Sequence, residues 1–188
     1  MTIEALVKIV PPPAAPDEAF SGPWKPIETL LGTGLPQDYK DFVRLYGAGN
    51  YMDFLGINVP RTRSPYVRLE TEAYAVAQLF RTMQANTYEP WPEIDDLLSF
   101  GRTDDGDYLF WRRAGPPDEW KVVVWSRGFD TFETFDCGLA DFLVGLATGG
   151  IDSDLFPRGR CDHMFRPYSD WPSRAFSLSW RVRYGASD

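Results

Sequence analysis

The stretch 98–135 constrains the fold of this chain more than any other. Leu98, Phe100 and Arg102 lead into Asp104-Asp105-Gly106-Asp107, and residues 108–112 lead out. An Asp-Gly pair between two β-prone runs supplies the positive φ that a tight hairpin turn needs. Pro116-Pro117-Asp118 makes a second turn, and the valine-rich run 120–125 a third strand. Gly128 makes a third turn, and 131–135 a fourth strand. Connections this short join antiparallel neighbours, because a parallel pair needs a crossover of a dozen or more residues. The stretch is therefore an antiparallel meander.

Helical patterns flank it. Pro36 opens one, since a missing N–H costs nothing at the first helical position. Tyr39, Phe42, Val43 and Tyr46 follow as a core-facing stripe, and Gly47 stops the helix. A shorter helical turn over 27–31, ended by Gly32, packs against it. The apolar run 51–59, closed by Pro60, reads as one strand. A helix over 70–84 buries Ala73, Val76, Ala77, Phe80 and Met83. A last helix over 138–148 carries Leu139, Phe142, Leu143 and Leu146 and ends at Gly149-Gly150. The expected fold is α+β, an antiparallel sheet meander with the helices packed on one side.

The two ends have a different character. Six prolines between residues 10 and 26 give an extended linker or a wrapped arm. Residues 1–10 fit a short strand or a short helix. Near the other end Phe176, Leu178, Trp180, Val182 and Tyr184 alternate with Ser177, Ser179, Arg181 and Arg183. That period of two predicts a half-buried strand at a sheet edge. The chain thus divides into a Pro-rich arm (1–23), an α+β domain (24–150) and a C-terminal extension (151–188).

Composition narrows the class. Aromatic residues make 15% of the chain, enough for a substantial core, which excludes disorder of the whole chain. The net charge is −8, and residues 89–141 alone carry 13 acids and 5 bases. Such a balance disfavours nucleic acid and anionic membranes, which need clustered Lys and Arg, and favours a basic partner. No apolar run approaches the roughly 18 residues needed to span a bilayer. Met1 to Val10 lacks the basic start of a signal peptide. Two cysteines, Cys137 and Cys161, read as reduced thiols of a cytoplasmic protein.

Catalytic signatures are missing from the sequence. His163 is the one histidine, and Cys161, His163 and Cys137 fall short of the four ligands of a zinc site. There is no G-x-S-x-G pentapeptide and no P-loop lysine. Gly32-Thr33-Gly34 and Gly47-Ala48-Gly49 are not completed to a dinucleotide fingerprint, because Gln37 and Met52 stand at the final positions. Asp104, Asp105 and Asp107 lack the order of a calcium loop. The reading is a non-enzyme without metal or cofactor.

Three motifs together resemble the SUKH superfamily, which includes the fungal Smi/Knr cell-wall regulators and many bacterial immunity proteins. The first is Leu31-Gly32, then Leu35-Pro36, the aromatic stripe, and Gly47-Ala48-Gly49. The second is the run from Phe100 through Gly106 to Trp111, with Trp120 and Trp125 after it. The third is the closing helix with Leu139, Phe142, Leu143 and Gly149. Their order and spacing agree with the family over roughly residues 24–150. The resemblance implies an α+β fold without catalysis. For a bacterial member it implies an intracellular immunity protein that blocks a cognate toxin domain, often a nuclease or deaminase. The alternative is a regulatory scaffold like the fungal relatives.

An acidic inhibitor can occupy a basic nuclease site by imitating phosphate. The partner-binding candidates are therefore acidic or aromatic residues expected at exposed loops. They are Asp104, Asp105 and Asp107 at the hairpin tip, Glu119 and Trp120 at the next strand, and Tyr51 and Asp53 after the G-x-G stop. Trp120 reads equally as a core residue, and for Tyr51 the core reading is slightly the stronger.

Overall fold

The computed structural model describes residues 3–85, 91–156 and 164–170. Five helices and seven strands are formed: α1 (Ile3–Ile9), α2 (Lys25–Leu31), α3 (Gln37–Tyr46), β1 (Gly49–Tyr51), β2 (Leu55–Ile57), α4 (Leu69–Gln84), β3 (Leu97–Thr103), β4 (Tyr108–Arg112), β5 (Lys121–Ser126), β6 (Thr131–Phe135), α5 (Leu139–Thr148) and β7 (Phe165–Pro167). The strands make one antiparallel sheet in the order β6-β5-β4-β3-β2-β1-β7. From β3 to β6 it is a plain meander, as the short turns require, while β2 pairs with β3 across a long connection that carries α4.

The strands of its centre bury both of their alternating sets of side chains. Leu98, Phe100, Leu109, Trp111, Val122 and Val124 face a large core shared with α1, α3 and α5. Leu97, Phe110, Val123 and Trp125 face a second, aromatic core under Val76 and Phe80 of α4. Phe80 is fully buried there, with the Phe110 and Trp125 rings 5.1 and 5.0 Å away, edge to face. The α+β antiparallel architecture is as expected. The one-sided placement of the helices is corrected: α4 covers the opposite face. A sheet that is apolar on both faces needs cover on both.

The run 51–59 is a hairpin rather than one strand. β1 and β2 pair through Tyr51 and Leu55, and Met52 and Asp53 turn the chain with φ of 54° and 50°. Both residues lie in the left-handed region at the centre of a turn closed by the Phe54 N–H, which donates to the Tyr51 carbonyl at 3.1 Å, and Phe54 completes a three-residue loop.

The Pro-rich segment is a wrapped arm. The start of the chain is helical, with Ile3 and Leu6 buried. Val10 is buried beyond it, and its carbonyl accepts the Tyr46 hydroxyl at 2.6 Å. Further along, the Asp17 carbonyl accepts the Ala48 N–H at 2.7 Å. Phe20 meets Trp24 edge to face at 4.9 Å. After α5 the chain returns as β7 beside β1, and the Tyr168 N–H donates to the Ala48 carbonyl at 3.2 Å. The strand expected over 176–184 lies outside the described residues.

Gly47 makes the arm's approach possible. Its φ is +67°, and a Cβ there would stand 2.2 Å from the Asp17 carbonyl oxygen. Gly32 has a similar φ of +69° but nothing within 4 Å. Gly47→Ala is therefore expected to cost about 3 kcal/mol, from backbone strain plus displacement of the arm, against about 1 kcal/mol for Gly32→Ala. Denaturant melts of the two variants measure the difference, and equal costs would show that the arm contributes nothing at this point.

Candidate binding surface

The N-termini of α3 and α5 converge beside the β4–β5 connection. Neither helix brings its own side-chain cap, because Pro36 and Gly138 stand at the capping positions. The orphaned N–H groups of a helix start need acceptors, and here other segments supply them. Asp118, on the short helical turn Pro117–Glu119, accepts the Gln37 N–H on Oδ1 at 2.6 Å. Asp38, in the first turn of α3, reaches across to α5 and accepts the Ala140 N–H on Oδ2 at 2.9 Å. The positive ends of both helix dipoles favour these carboxylates.

Further acids gather around the two caps. A cleft of about 370 Å³ is lined by Ile3 and Glu4 of α1, Gln37, Asp38 and Asp41 of α3, Asp118, Gly138 and Asp141. Five of its eight lining residues are carboxylates. Burial pushes the Asp38 carboxyl above its usual range, and the charges of Asp118 and Asp141 push the same way. Its Oδ1 is buried without a hydrogen-bond partner. Cys137, just outside, has its thiol pushed up by burial and then by Asp141, so it is a poor nucleophile. Among the described residues no three His, Cys, Asp or Glu side chains are placed to hold a metal ion. The cleft offers a concentrated negative potential in a shallow cavity, which suits the recognition of a basic surface.

A protein-family profile for SUKH_6, described as SMI1-KNR4 cell-wall, matches residues 23–143. The chain belongs to the SUKH superfamily. No curated protein and no solved structure matches it. The SUKH match spans α2 to the first half of α5, and thus holds Asp38, Asp41, Asp118 and Asp141. Ile3 and Glu4 lie before it, so the arm of this SUKH chain completes the cleft.

The residues singled out in the sequence are scattered over this SUKH fold. Asp105 is exposed at the β3–β4 tip, and Asp104 is half-buried there. Asp107 is buried: Oδ2 accepts the Thr103 hydroxyl at 2.7 Å, and Oδ1 accepts the Arg127 N–H at 2.9 Å. It ties two neighbouring turns together. Tyr51 is fully buried, and its hydroxyl donates to the Leu143 carbonyl at 2.7 Å. Burial pushes that phenol well above its usual range. Trp120 is buried, its indole N–H donating to the Gly115 carbonyl at 3.1 Å. The expected exposure fails for Asp107, and Tyr51 and Trp120 take their core reading; the polar atoms of all three are used inside the fold. Asp53 pairs with Arg166 of β7 at 2.7 Å. Glu119 is exposed beside Asp118, at the far end of β4 from Asp105. The cleft itself escapes sequence reading, because each of its acids resembles an ordinary first-turn residue. Pro36 and Gly138, two starts without a capping side chain, are the signal that borrowed caps are needed.

The raised Asp38 pKa fixes a sign. The folded protein holds that proton to higher pH than the unfolded chain, so ionising Asp38 opposes folding. Its contribution falls as pH rises from the ordinary carboxylate range through the folded value, and is flat above. Asp38→Asn keeps an acceptor for Ala140 without the charge, and is expected to leave stability at neutral pH equal or higher and to flatten that slope. Asp38→Ala loses the cap and should cost about 1 kcal/mol. Melting curves between pH 4 and 8 check both, and an Asn variant as unstable as the Ala variant would show that the negative charge is required.

Proposed function

We propose that this chain is a non-catalytic cytoplasmic binding protein that neutralises a cognate toxin domain by docking its basic surface onto the acidic cleft. SUKH membership supports the class of function, since the immunity and regulatory roles of the family are both binding roles. The observation that carries the reading is the set of five carboxylates gathered at two helix N-termini. A nuclease or deaminase domain presents positive charge where phosphate binds, and a carboxylate cluster can take that place. Among the described residues no helix is long and apolar enough to cross a membrane, in keeping with a partner met in solution.

The test is co-expression with a toxin-like reading frame adjacent to the gene. Rescue of growth and co-purification of a stoichiometric complex are expected, with an association rate that falls steeply as salt rises. The double variant Glu4→Lys, Asp41→Lys avoids both capping residues. It should keep its melting temperature, slow association by about tenfold or more, and lose rescue. Rescue by the double variant would move the docking site off the cleft. Several weak partners and no rescue would favour a regulatory scaffold.

A further inference from the structure

Among the described residues the seven-stranded sheet ends on two unlike edges. β7 is three residues long and finishes on Pro167, which has no N–H to donate. β6 is five residues long, Thr131-Phe132-Glu133-Thr134-Phe135, with neither proline nor lysine. Among the described residues it has a strand on its β5 side alone. An edge of that kind directs alternate backbone N–H and C=O groups away from the sheet, as a template for one more strand.

Its side chains give the edge two characters. Phe132 turns to the aromatic core, with the Trp91 ring at 5.3 Å, while Phe135 turns to the opposite core, with Phe142 at 5.1 Å. Glu133 shares the face of Phe135 by the two-residue period. There, Glu133, Asp152, Ser153, Asp154 and Leu155 line a depression of about 480 Å³ together with Phe129. Glu133 is held by the Ser153 hydroxyl, which donates to Oε2 at 2.7 Å. Phe129, at the β5–β6 turn, is 65% exposed. The edge is thus apolar on one face and acidic on the other, with a bare aromatic ring at one end. Beyond its other end come Asp136, Cys137 and then Gly138, which lines the carboxylate cleft.

We propose that the β6 edge takes an extended, basic segment of the partner protein as an eighth strand. Its Lys or Arg side chains lie on the face of Glu133, Asp152 and Asp154, its alternate apolar side chains lie on the face of Phe132, and Phe129 anchors one end. The inference rests on the reading that this chain binds a basic protein, and supplies the pairing that would fix the partner's orientation. Charge complementarity decides the occupant. Antiparallel pairing of two β6 strands about their centres would oppose Glu133 to its own copy, which disfavours a second copy of the chain.

Hydrogen exchange on the full-length chain tests this with an end-blocked peptide, Arg-Val-Arg-Val-Arg-Val-Arg, and the same peptide N-methylated at alternate residues. The plain peptide is expected to slow exchange of the amides over 131–135, and the N-methylated one to leave them unchanged. Glu133→Lys should weaken binding of the plain peptide by about tenfold, from loss of one favourable charge pair and gain of a repulsive one. Phe129→Ala should weaken it too, with an unchanged melting temperature as the check on folding. Equal binding of both peptides, with protection confined to the carboxylate cleft, would overturn the inference while leaving a basic partner in place. Slow exchange over 131–135 in the free chain, indifferent to peptide, would overturn it as well, because the chain itself then occupies the edge. Binding of neither peptide would also overturn it, and the co-purification experiment judges the basic-partner reading separately.

Discussion

The backbone of Ala48 holds the N-terminal arm and the β7 segment to the centre of the fold. Its N–H donates to Asp17 of the arm, and its carbonyl accepts from Tyr168 after β7. The flanking glycines make room for both. A Cβ on Gly47 would strike the Asp17 carbonyl, and one on Gly49 would stand 2.4 Å from the Arg166 carbonyl oxygen. The G-x-G that ends α3 thus does more than stop a helix. It lets two appended segments close over the α3 end of the sheet, where the β1–β2 hairpin turns. Arm and extension bring Ile3, Leu6, Val10 and Phe165 into the main core, so neither is an ornament on the SUKH fold.

The same economy of contacts generates the acidic cleft. α3 and α5 lack capping side chains of their own, and each is capped by a carboxylate from a different segment. Both acceptors are charged, and the two helices start close together, so satisfying the backbone forces negative charges into one place. Asp38 shows the conflict: its bond to Ala140 favours the ionised form, and burial with Asp118 and Asp141 nearby opposes it more strongly. A stability requirement accounts for Asp38 and Asp118. Asp41 also has partners within the chain, pairing with Arg44 at 3.2 Å and accepting from the Gln37 side chain at 3.3 Å, and Glu4 stands in the first turn of α1, where the helix dipole favours a carboxylate. Both add charge to the cleft without capping α3 or α5.

Local signals carried much of the fold. α3 was legible because Pro36, a four-residue apolar stripe with three aromatic rings and Gly47 agree on its start, face and end. The meander was legible because its turns are too short for anything but antiparallel neighbours. The β1–β2 hairpin was hidden, since residues buried on both faces erase the alternation of a strand, and Met52 and Asp53 carry no turn signature. The face taken by α4 was hidden for a different reason: an apolar stripe tells which side of a helix is buried, but not which side of the sheet buries it. Among the candidate site residues, Asp105 and Glu119 are exposed as a surface role requires. Tyr51, Asp107 and Trp120 serve hydrogen bonds to Leu143, to Thr103 and Arg127, and to Gly115, long-range or turn-specific pairings that no sequence window displays.

The two edges of the sheet place the cleft in context. Appending β7 turns the β1 side of the SUKH sheet into a three-residue, proline-ended border, a poor template for association. Among the described residues the β6 side has no further strand, and β6 leads from the carboxylates around Glu133 toward Gly138, which lines the cleft of Asp38 and Asp118. A five-residue strand spans roughly 17 Å, short enough for one bound segment to reach both groups. Charge attracts a basic partner from any direction, but a strand edge accepts it in one register and polarity. In the proposed complex the two features would separate speed of encounter from specificity of docking: the carboxylates would raise the encounter rate, and backbone pairing along β6 would limit which basic surfaces can stay.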